Sequence, residues 1–149
     1  MSGEFKYIVR IAGRDLDGTC KIVEGLARIR GIGWGTALAI CRLLGIDTQR
    51  RLGELSEEEL KKVEDLVYRL HEKLPGWYVN RPRDPYDGKN YHLVESDLVL
   101  KVRGDVELLK KIRCWRGIRH MLGLKVRGQK TRTTGRTGMT VGVTKKGKR

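Results

Sequence analysis

Apolar residues recur at helical spacing in the first part of the chain. Between Thr19 and Arg30, four of them share one face and predict a first helix: Ile22, Val23, Leu26 and Ile29. After a glycine-rich stretch, a second run predicts a helix that ends at Gly45 as its C-cap, with one face formed by Ala37, Leu38, Cys41 and Leu44. The pattern therefore predicts two helices joined by a short glycine turn.

The strongest helical signal begins at Ser56. This residue is the predicted N-cap, and Glu59 occupies the N3 position of a capping box, while Leu55 and Leu60 are placed to form a hydrophobic staple. A continuous apolar stripe then predicts one long helix to Leu74, where a Pro-Gly pair stops it. Because its first turn is acidic, we expect this helix to face protein rather than phosphate.

Helical spacing resumes near Ser96 and continues to Ile112, although Gly104 within it costs about 1 kcal/mol relative to Ala. A helical wheel over residues 113–122 then separates two faces. One face is apolar and is expected to be buried against the body: Trp115, Ile118, Met121 and Leu122. The other face is basic and is expected to point outward: Arg113, Arg116, Arg119 and His120.

Strand signals are confined to the N-terminus, where Phe5–Ile11 alternates and predicts a short edge strand. The predicted fold class is therefore all-α, with at most this strand. We divide the chain into a helical body with its glycine hairpin (1–74), a Pro- and aromatic-rich surface loop (75–94), a helix followed by an Arg-rich short helix (95–124), and an extended basic tail (125–149).

The predicted loop contains all three prolines of the chain and several aromatic residues. Trp77, Tyr78 and Tyr86 lie near Arg81, Arg83 and Lys89. Two interpretations remain open, because aromatic side chains among cations either stack on unpaired bases or pin a loop to its own domain.

Charge is sorted along the sequence. The 149 residues carry a formal net charge of +14, and no carboxylate follows Glu107, so the fourteen Lys and Arg residues after it equal the whole net charge. A neutral part with a basic C-terminal arm is typical of proteins that bind a polyanion. A solubilising tail is the alternative, but ordinary solvated surfaces mix both signs. The tail also has few large apolar side chains to insert into a membrane.

Gly31, Gly33 and Gly35 stand between the first two predicted helices in a helix-hairpin-helix pattern. Such glycines let the backbone approach a sugar-phosphate strand, and the unpaired N–H groups at the start of the second helix can hold a phosphate oxygen. The alternative is a tight turn in which Gly is needed only because two helices pack closely. Beside a basic arm, the pattern favours nucleic acid.

The sequence predicts neither a metal site nor a cofactor. Cys20, Cys41 and Cys114 are odd in number and lack paired C-x-x-C spacing, so we expect buried thiols in a reducing compartment. The N-terminus has no signal-peptide run, and no window is long enough to span a bilayer. These features predict a cytoplasmic protein.

The run from Cys114 to Thr131, CWRGIRHMLGLKVRGQKT, resembles the signature of the small-subunit ribosomal protein S-thirteen family. Its continuation from Arg132 is similar to the archaeal and eukaryotic branch, whose eukaryotic name is S-eighteen. Three further segments match the same family in the same order: Arg10–Gly13, Arg30–Gly33 and Glu54–Leu60. The resemblance covers essentially the whole chain.

This resemblance implies a helix-two-turns-helix body and a structural role in the head of the small ribosomal subunit. It implies that the basic arm binds ribosomal RNA (rRNA) and that its end approaches the peptidyl-site tRNA. It also implies an intersubunit bridge with a large-subunit partner at the N-terminal region, and a neighbouring head protein of the S-nineteen family. The bacterial branch is compact where this chain has Pro75–Tyr91, so bacterial contacts there are not transferred.

We therefore expect the RNA-binding residues in the Arg-rich helix and the tail, with a further phosphate contact at the glycine hairpin. The expected set comprises Arg113, Arg116, Arg119, His120, Lys125, Arg127, Gln129, Lys130, Arg132, Arg136, Lys145, Lys146, Lys148 and Arg149.

Two other function classes remain as alternatives. A glycosylase of the helix-two-turns-helix kind starts from a proline after Met1, whereas Ser2 follows here. A helix-hairpin-helix glycosylase uses a carboxylate past the hairpin, for which Asp47 is the nearest candidate. Because the three histidines also lack a nucleophile partner, we expect no enzyme activity. The second alternative is a free architectural DNA-binding protein.

Overall fold

The computed structural model describes residues 5–134, in which helices predominate. The elements in chain order are β1 (Ile8–Ile11), β2 (Arg14–Asp17), α1 (Ile22–Ala27), α2 (Trp34–Leu44), α3 (Glu57–Tyr68), α4 (Leu70–Lys73), α5 (Glu95–Ile112) and α6 (Trp115–Met121). A 3-10 turn at Leu52–Glu54 precedes α3. The prediction of a mainly helical chain is confirmed.

The expected single strand is one half of a two-stranded antiparallel sheet, which corrects the all-α prediction. Ile8 pairs with Asp17 and Ile11 with Arg14, and the intervening Ala12 and Gly13 both have positive φ, as a type I′ hairpin turn requires. The second strand was missed because its sequence, RDLD, contains a single apolar residue. That residue, Leu16, is buried against the core.

The core lies among β1, α1, α2 and α3. α1 is shorter than the predicted span, but its predicted apolar face is buried, and Gly45 ends α2 in the left-handed conformation as expected. Leu38 departs from the prediction, because it is exposed on α2 while Ile40 is buried instead. Among the fully enclosed side chains are Ile11, Ile22, Leu26, Ile40, Leu52, Val63, Val67 and Leu70.

The capping box of α3 is present. The backbone N–H of Glu59 donates to Ser56 Oγ at 3.2 Å, and the N–H of Ser56 donates to Glu59 Oε2 at 2.9 Å. The predicted continuous helix to Leu74 is wrong, because Arg69 leaves helical geometry with φ −104° and ψ 20° and the chain restarts as α4. The apolar stripe nevertheless stays in register, since Leu70 is fully buried.

The segment predicted as a surface loop is folded around a buried carboxylate, Asp84. Arg81 Nε and Lys101 Nζ contact its Oδ2 at 2.9 and 3.0 Å, and the N–H of Tyr86 donates to Oδ1 at 2.9 Å. The Tyr86 N–H, together with the two cations, lowers the pKa of Asp84 to about 2 against the opposing effect of burial. Backbone bonds between Arg81 and Tyr91 close the loop.

The chain divides into two compact units within α5, between Lys101 and Val102. In the second unit, Cys114 is the N-cap of α6, and its Sγ accepts from the N–H of Gly117 at 3.4 Å. Gly117 is buried, and a Cβ at this position would collide with the carbonyl oxygen of Leu109 in α5. A glycine is therefore what lets α6 pack closely on the end of α5.

We expect Asp84→Asn to destabilise the protein in a pH-dependent manner. Because the pKa of Asp84 is about 2 in the folded state and 3.8 ordinarily, the carboxylate stabilises the fold above about pH 4, and this contribution is lost as the pH falls toward 2. Thermal unfolding followed by circular dichroism should give a lower midpoint for the variant at about pH 7 and a smaller difference at about pH 2.5. Asp65→Asn, an exposed carboxylate on α3, is the control. Equal differences at both pH values for Asp84→Asn would contradict an ionic role.

We expect Gly117→Ala and Gly104→Ala to have opposite effects in the second unit. The added methyl group at residue 117 meets the Leu109 carbonyl, whereas a Cβ at residue 104 meets nothing within 4 Å and removes a helix-destabilising glycine. Amide hydrogen exchange should accelerate over residues 115–121 in the first variant and should slow in α5 in the second. Unchanged exchange in Gly117→Ala would show that α6 does not depend on this close approach.

Candidate nucleic-acid interface

The glycine hairpin lies between α1 and α2. Gly31 adopts φ +96°, Ile32 is buried, and Gly33 is the extended N-cap from which α2 begins. The first intrahelical bond runs from the N–H of Ala37 to the carbonyl of Gly33 at 2.9 Å. The N–H groups of the first helical turn have no intrahelical acceptor, and this end of α2 is exposed from residue 33 to residue 35.

Residues 92–95 contact the hairpin and hold it in place. The ring Nε2 of His92 lies 3.0 Å from the carbonyl oxygen of Gly31. The backbone N–H of Glu95 donates to the carbonyl of Arg30 at 2.9 Å, and the N–H of Arg30 donates back to Glu95 Oε1 at 2.8 Å. The same carboxylate oxygen accepts from Arg14 Nη1 at 3.1 Å. We call these contacts the hairpin clamp.

Two titratable groups in the hairpin clamp are shifted by their surroundings. Burial alone would raise the pKa of Glu95, but the Arg30 N–H and the Arg14 guanidinium bring it below its ordinary value. Burial lowers the pKa of His92, so its ring is neutral at pH 7. Since a carbonyl can only accept, Nε2 is the protonated nitrogen, and Nδ1 is left buried with no hydrogen-bond partner among the described residues.

The three hairpin glycines differ in what surrounds them. A Cβ on Gly31 would collide with the carbonyl of Leu93, and a Cβ on Gly35 would lie 2.6 Å from the hydroxyl of Tyr78. A Cβ on Gly33 would meet nothing within 4 Å, and its φ of −103° suits any residue. Packing therefore accounts for Gly31, where the obstacle is backbone. At Gly35 only the end of the Tyr78 side chain stands in the way, and at Gly33 nothing does.

The predicted outward exposure of the basic face of α6 is confirmed in part. Arg113 and Arg116 are exposed, while Arg119 and His120 are half-buried. Arg119 Nε donates to the carbonyl of Lys125 at 2.8 Å, and its guanidinium lies 5.9 Å from the ring centroid of Trp115. Arg119 thus ties the first residue of the tail back to the helix.

The prediction of a buried apolar face on α6 is wrong for the described part of the chain. Trp115 is 73% exposed, Leu122 66%, Met121 60% and Ile118 38%. The face fails as a core because α6 is only seven residues long and contacts α5 through Gly117 rather than through a large side chain. The described part of α5 likewise has no buried residue.

The remaining predicted RNA-binding residues lie in the tail. Those within the described range are all exposed: Lys125, Arg127, Gln129, Lys130 and Arg132. The other predicted residues lie outside the described range: Arg136, Lys145, Lys146, Lys148 and Arg149. The structure therefore brings α6 and the start of the tail together through Arg119.

Sequence reasoning missed the hairpin clamp. No role was predicted for Glu95 from the sequence, and His92 was expected only as a histidine without a nucleophile partner. Their partners lie between 61 and 81 positions away in the chain, where periodicity and spacing carry no signal. The expected burial of all three cysteines was also only partly right, since Cys41 alone is buried.

No group of three or more potential metal ligands occurs within residues 5–134. No helix in that range is both long and apolar enough to cross a membrane.

Residues 10–137 match the family model described as ribosomal protein S13/S18. The chain is also similar to several archaeal proteins named small ribosomal subunit protein uS13. It is 58% identical to that of Saccharolobus solfataricus over 98% of this chain and 89% of the relative. It is 56% identical to that of Thermofilum pendens over 99% and 94% of the two chains, and 54% identical to that of Pyrobaculum islandicum over 98% and 95%. The chain therefore belongs to the ribosomal protein S13/S18 family.

Proposed function

We propose that this chain is a structural constituent of the small ribosomal subunit and binds rRNA in the subunit head. The observation that carries the proposal is the segregation of charge. A short helix with a basic face is followed by a tail that has no carboxylate. A hydrogen bond from Arg119 to the carbonyl of Lys125 ties the start of this tail to the helix. Membership of a ribosomal protein family favours rRNA as the polyanion. The chain would act in the cytoplasm as part of the ribosome and support translation without catalysis.

The helix and the tail would contribute in different ways. Arg113 and Arg116 stand on an ordered element, which gives their phosphate contacts a fixed register. The tail residues from Lys125 onward supply most of the charge and follow the surface of the rRNA, releasing counterions as they bind. The proposed contacts are those predicted from the sequence, including the positions beyond residue 134.

The hairpin would add a phosphate contact through the exposed N–H groups at the start of α2, near Gly31, Gly33 and Gly35. Gly33 is the most informative of the three, because no packing contact explains its lack of a side chain. The hairpin clamp would keep this end of α2 in one orientation.

The N-terminal region would face protein. Tyr7 and Ile8 are each 73% exposed near the start of the sheet, and residues 1–107 are neutral overall. These features suit an intersubunit bridge with a large-subunit partner. The tail end would approach the peptidyl-site tRNA, and a head protein of the S-nineteen family would be a neighbour. The functional division would then be body (1–74), loop (75–94), helical segment (95–124) and tail (125–149).

We expect removal of residues 125–149 to weaken rRNA binding and to flatten its salt dependence. If roughly seven C-terminal charges contact phosphate in the full chain, the slope of log affinity against log salt should be about −5 to −6. Filter binding to small-subunit rRNA across a salt series measures this slope, and the thermal unfolding of the body should not change.

A matched control is the double variant Lys61→Gln and Lys62→Gln, which removes two exposed charges from α3 and should leave the slope unchanged. An unaltered slope in the truncated chain would exclude the tail as the main contact. Duplex DNA equal in length to the rRNA is the competitor. Tighter binding to this DNA than to the rRNA, at equal salt, would favour an architectural DNA-binding protein.

We expect Gly33→Val to weaken rRNA binding at least several-fold and to lower the unfolding midpoint less than Gly31→Val does, because Val is a poorer N-cap than Gly but meets no packed atom here. The branched side chain obstructs the approach of a phosphate, whereas the backbone conformation and the surrounding space accommodate it. Gly31→Val is the contrasting variant, because its positive φ and the Leu93 carbonyl should make it unstable. If Gly33→Val retains full affinity, the hairpin only packs.

A further inference from the structure

Trp77 lines two separate hollows on the surface of the first unit. One hollow, of about 510 Å³, lies between α2 and residues 73–78 and has Leu38 and Leu43 among its lining residues. The other, of about 480 Å³, is lined by Pro82 and Asn90 among others. Both volumes fall in the range that accommodates small organic groups. We call these two hollows and the ring that lines both of them the Trp77 site.

The Trp77 site carries cations and no carboxylate. Arg42 and Lys73 line the first hollow and Arg83 lines the second, while no Asp or Glu lines either. All three cations are exposed, and none forms an ion pair with a described residue. An anionic ligand would therefore meet positive charge in both hollows without displacing an existing partner.

The ring of Trp77 is presented by an ordered turn although it is 80% exposed. The N–H of Tyr78 donates to the carbonyl of Pro75 at 2.9 Å, and the Trp77 and Tyr78 rings meet edge to face with centroids 5.6 Å apart. The absent side chain of Gly35 leaves room for the Tyr78 hydroxyl. The backbone that carries Trp77 is thus held in place while its ring stays open to solvent.

We propose that the Trp77 site binds an unpaired nucleotide of rRNA. The base stacks on Trp77, and the flanking phosphates bind Arg42 and Lys73 in one hollow and Arg83 in the other. Aromatic side chains among cations are the usual means of holding single-stranded RNA, because every base has a stacking face and every linkage is anionic. This inference rests on the proposed rRNA binding and adds a contact outside α6 and the tail, next to the hairpin at Gly35.

The arrangement of the site favours RNA over a protein partner. Aromatic and Arg side chains also occur at protein interfaces, so residue type alone does not decide. Each of the two hollows that Trp77 lines carries a cation, which matches a base flanked by two phosphates. A protein partner is kept as an outcome of the experiment.

Fluorescence of Trp77 tests stacking directly. In the full chain with Trp34→Phe and Trp115→Phe, Trp77 is the only tryptophan, and both replaced residues are largely exposed, so the fold should be retained. Single-stranded oligoadenylate should quench Trp77 fluorescence on binding. A short RNA duplex, which also binds the basic tail but has no free base, should not. Quenching by both RNAs or by neither would overturn the proposal.

Affinity for small-subunit rRNA separates a base from a protein contact. We expect Trp77→Leu to lose roughly 10-fold in affinity and Trp77→Phe to lose much less, because Phe can stack and Leu cannot. Tyr68→Ala, an exposed aromatic residue on α3 outside the site, is the control and should bind as the parent does. Arg42→Gln with Lys73→Gln should reduce the salt slope by about 1.4.

Two further results would decide against this inference. If Trp77→Leu binds rRNA as tightly as the parent chain, the stacking contact is excluded, while the proposed rRNA binding is unaffected. Impaired incorporation into small subunits in Trp77→Ala, but not in Trp77→Leu, would indicate an apolar protein contact instead. Absence of rRNA binding by the parent chain would contradict the proposed function itself. Circular dichroism of each variant verifies that the fold is retained.

Discussion

The geometry of the first unit depends on one carboxylate, that of Glu95. Its side chain accepts from the backbone of the hairpin and from Arg14 of β2, while its own N–H donates to the hairpin. Glu95 adopts φ +43° to make these contacts, which is uncommon for a residue with a side chain. The sheet, the α1–α2 turn and the start of α5 therefore meet at this residue. Loss of the carboxylate would leave the turn with fewer fixed neighbours and the guanidinium of Arg14 without this partner.

Local chemistry predicted most of the helices. The capping box at Ser56, the C-cap at Gly45 and the extent of α5 all follow from neighbouring residues, and they appear where the sequence placed them. Errors arose where the tertiary environment decides. β2 has one apolar residue and is a strand because it pairs with β1. Arg69 interrupts a helix whose apolar stripe continues unbroken.

The positive charge of the candidate interface could be predicted from the sequence, but the packing of its side chains could not. Absence of carboxylates after Glu107 is visible in the sequence, and so is the two-faced pattern of α6. A helical wheel assumes that an apolar face is buried, whereas Trp115 and Leu122 are exposed in the described structure. The wheel also ignores glycine, yet Gly117 makes the close contact with α5. Contacts such as His92 with Gly31 join distant parts of the chain, and no local pattern encodes them.

The hairpin clamp also bears on the order in which the molecule folds. Its partners are separated by 61 to 81 residues, so these contacts can form only after most of the body has been synthesised. Contacts of such long sequence separation form late, because the entropy of closing the intervening chain must first be offset by other contacts. During synthesis from the N-terminus, α1 and α2 emerge well before residue 95. A hairpin of fixed geometry therefore becomes available only when nearly the whole first unit has been made.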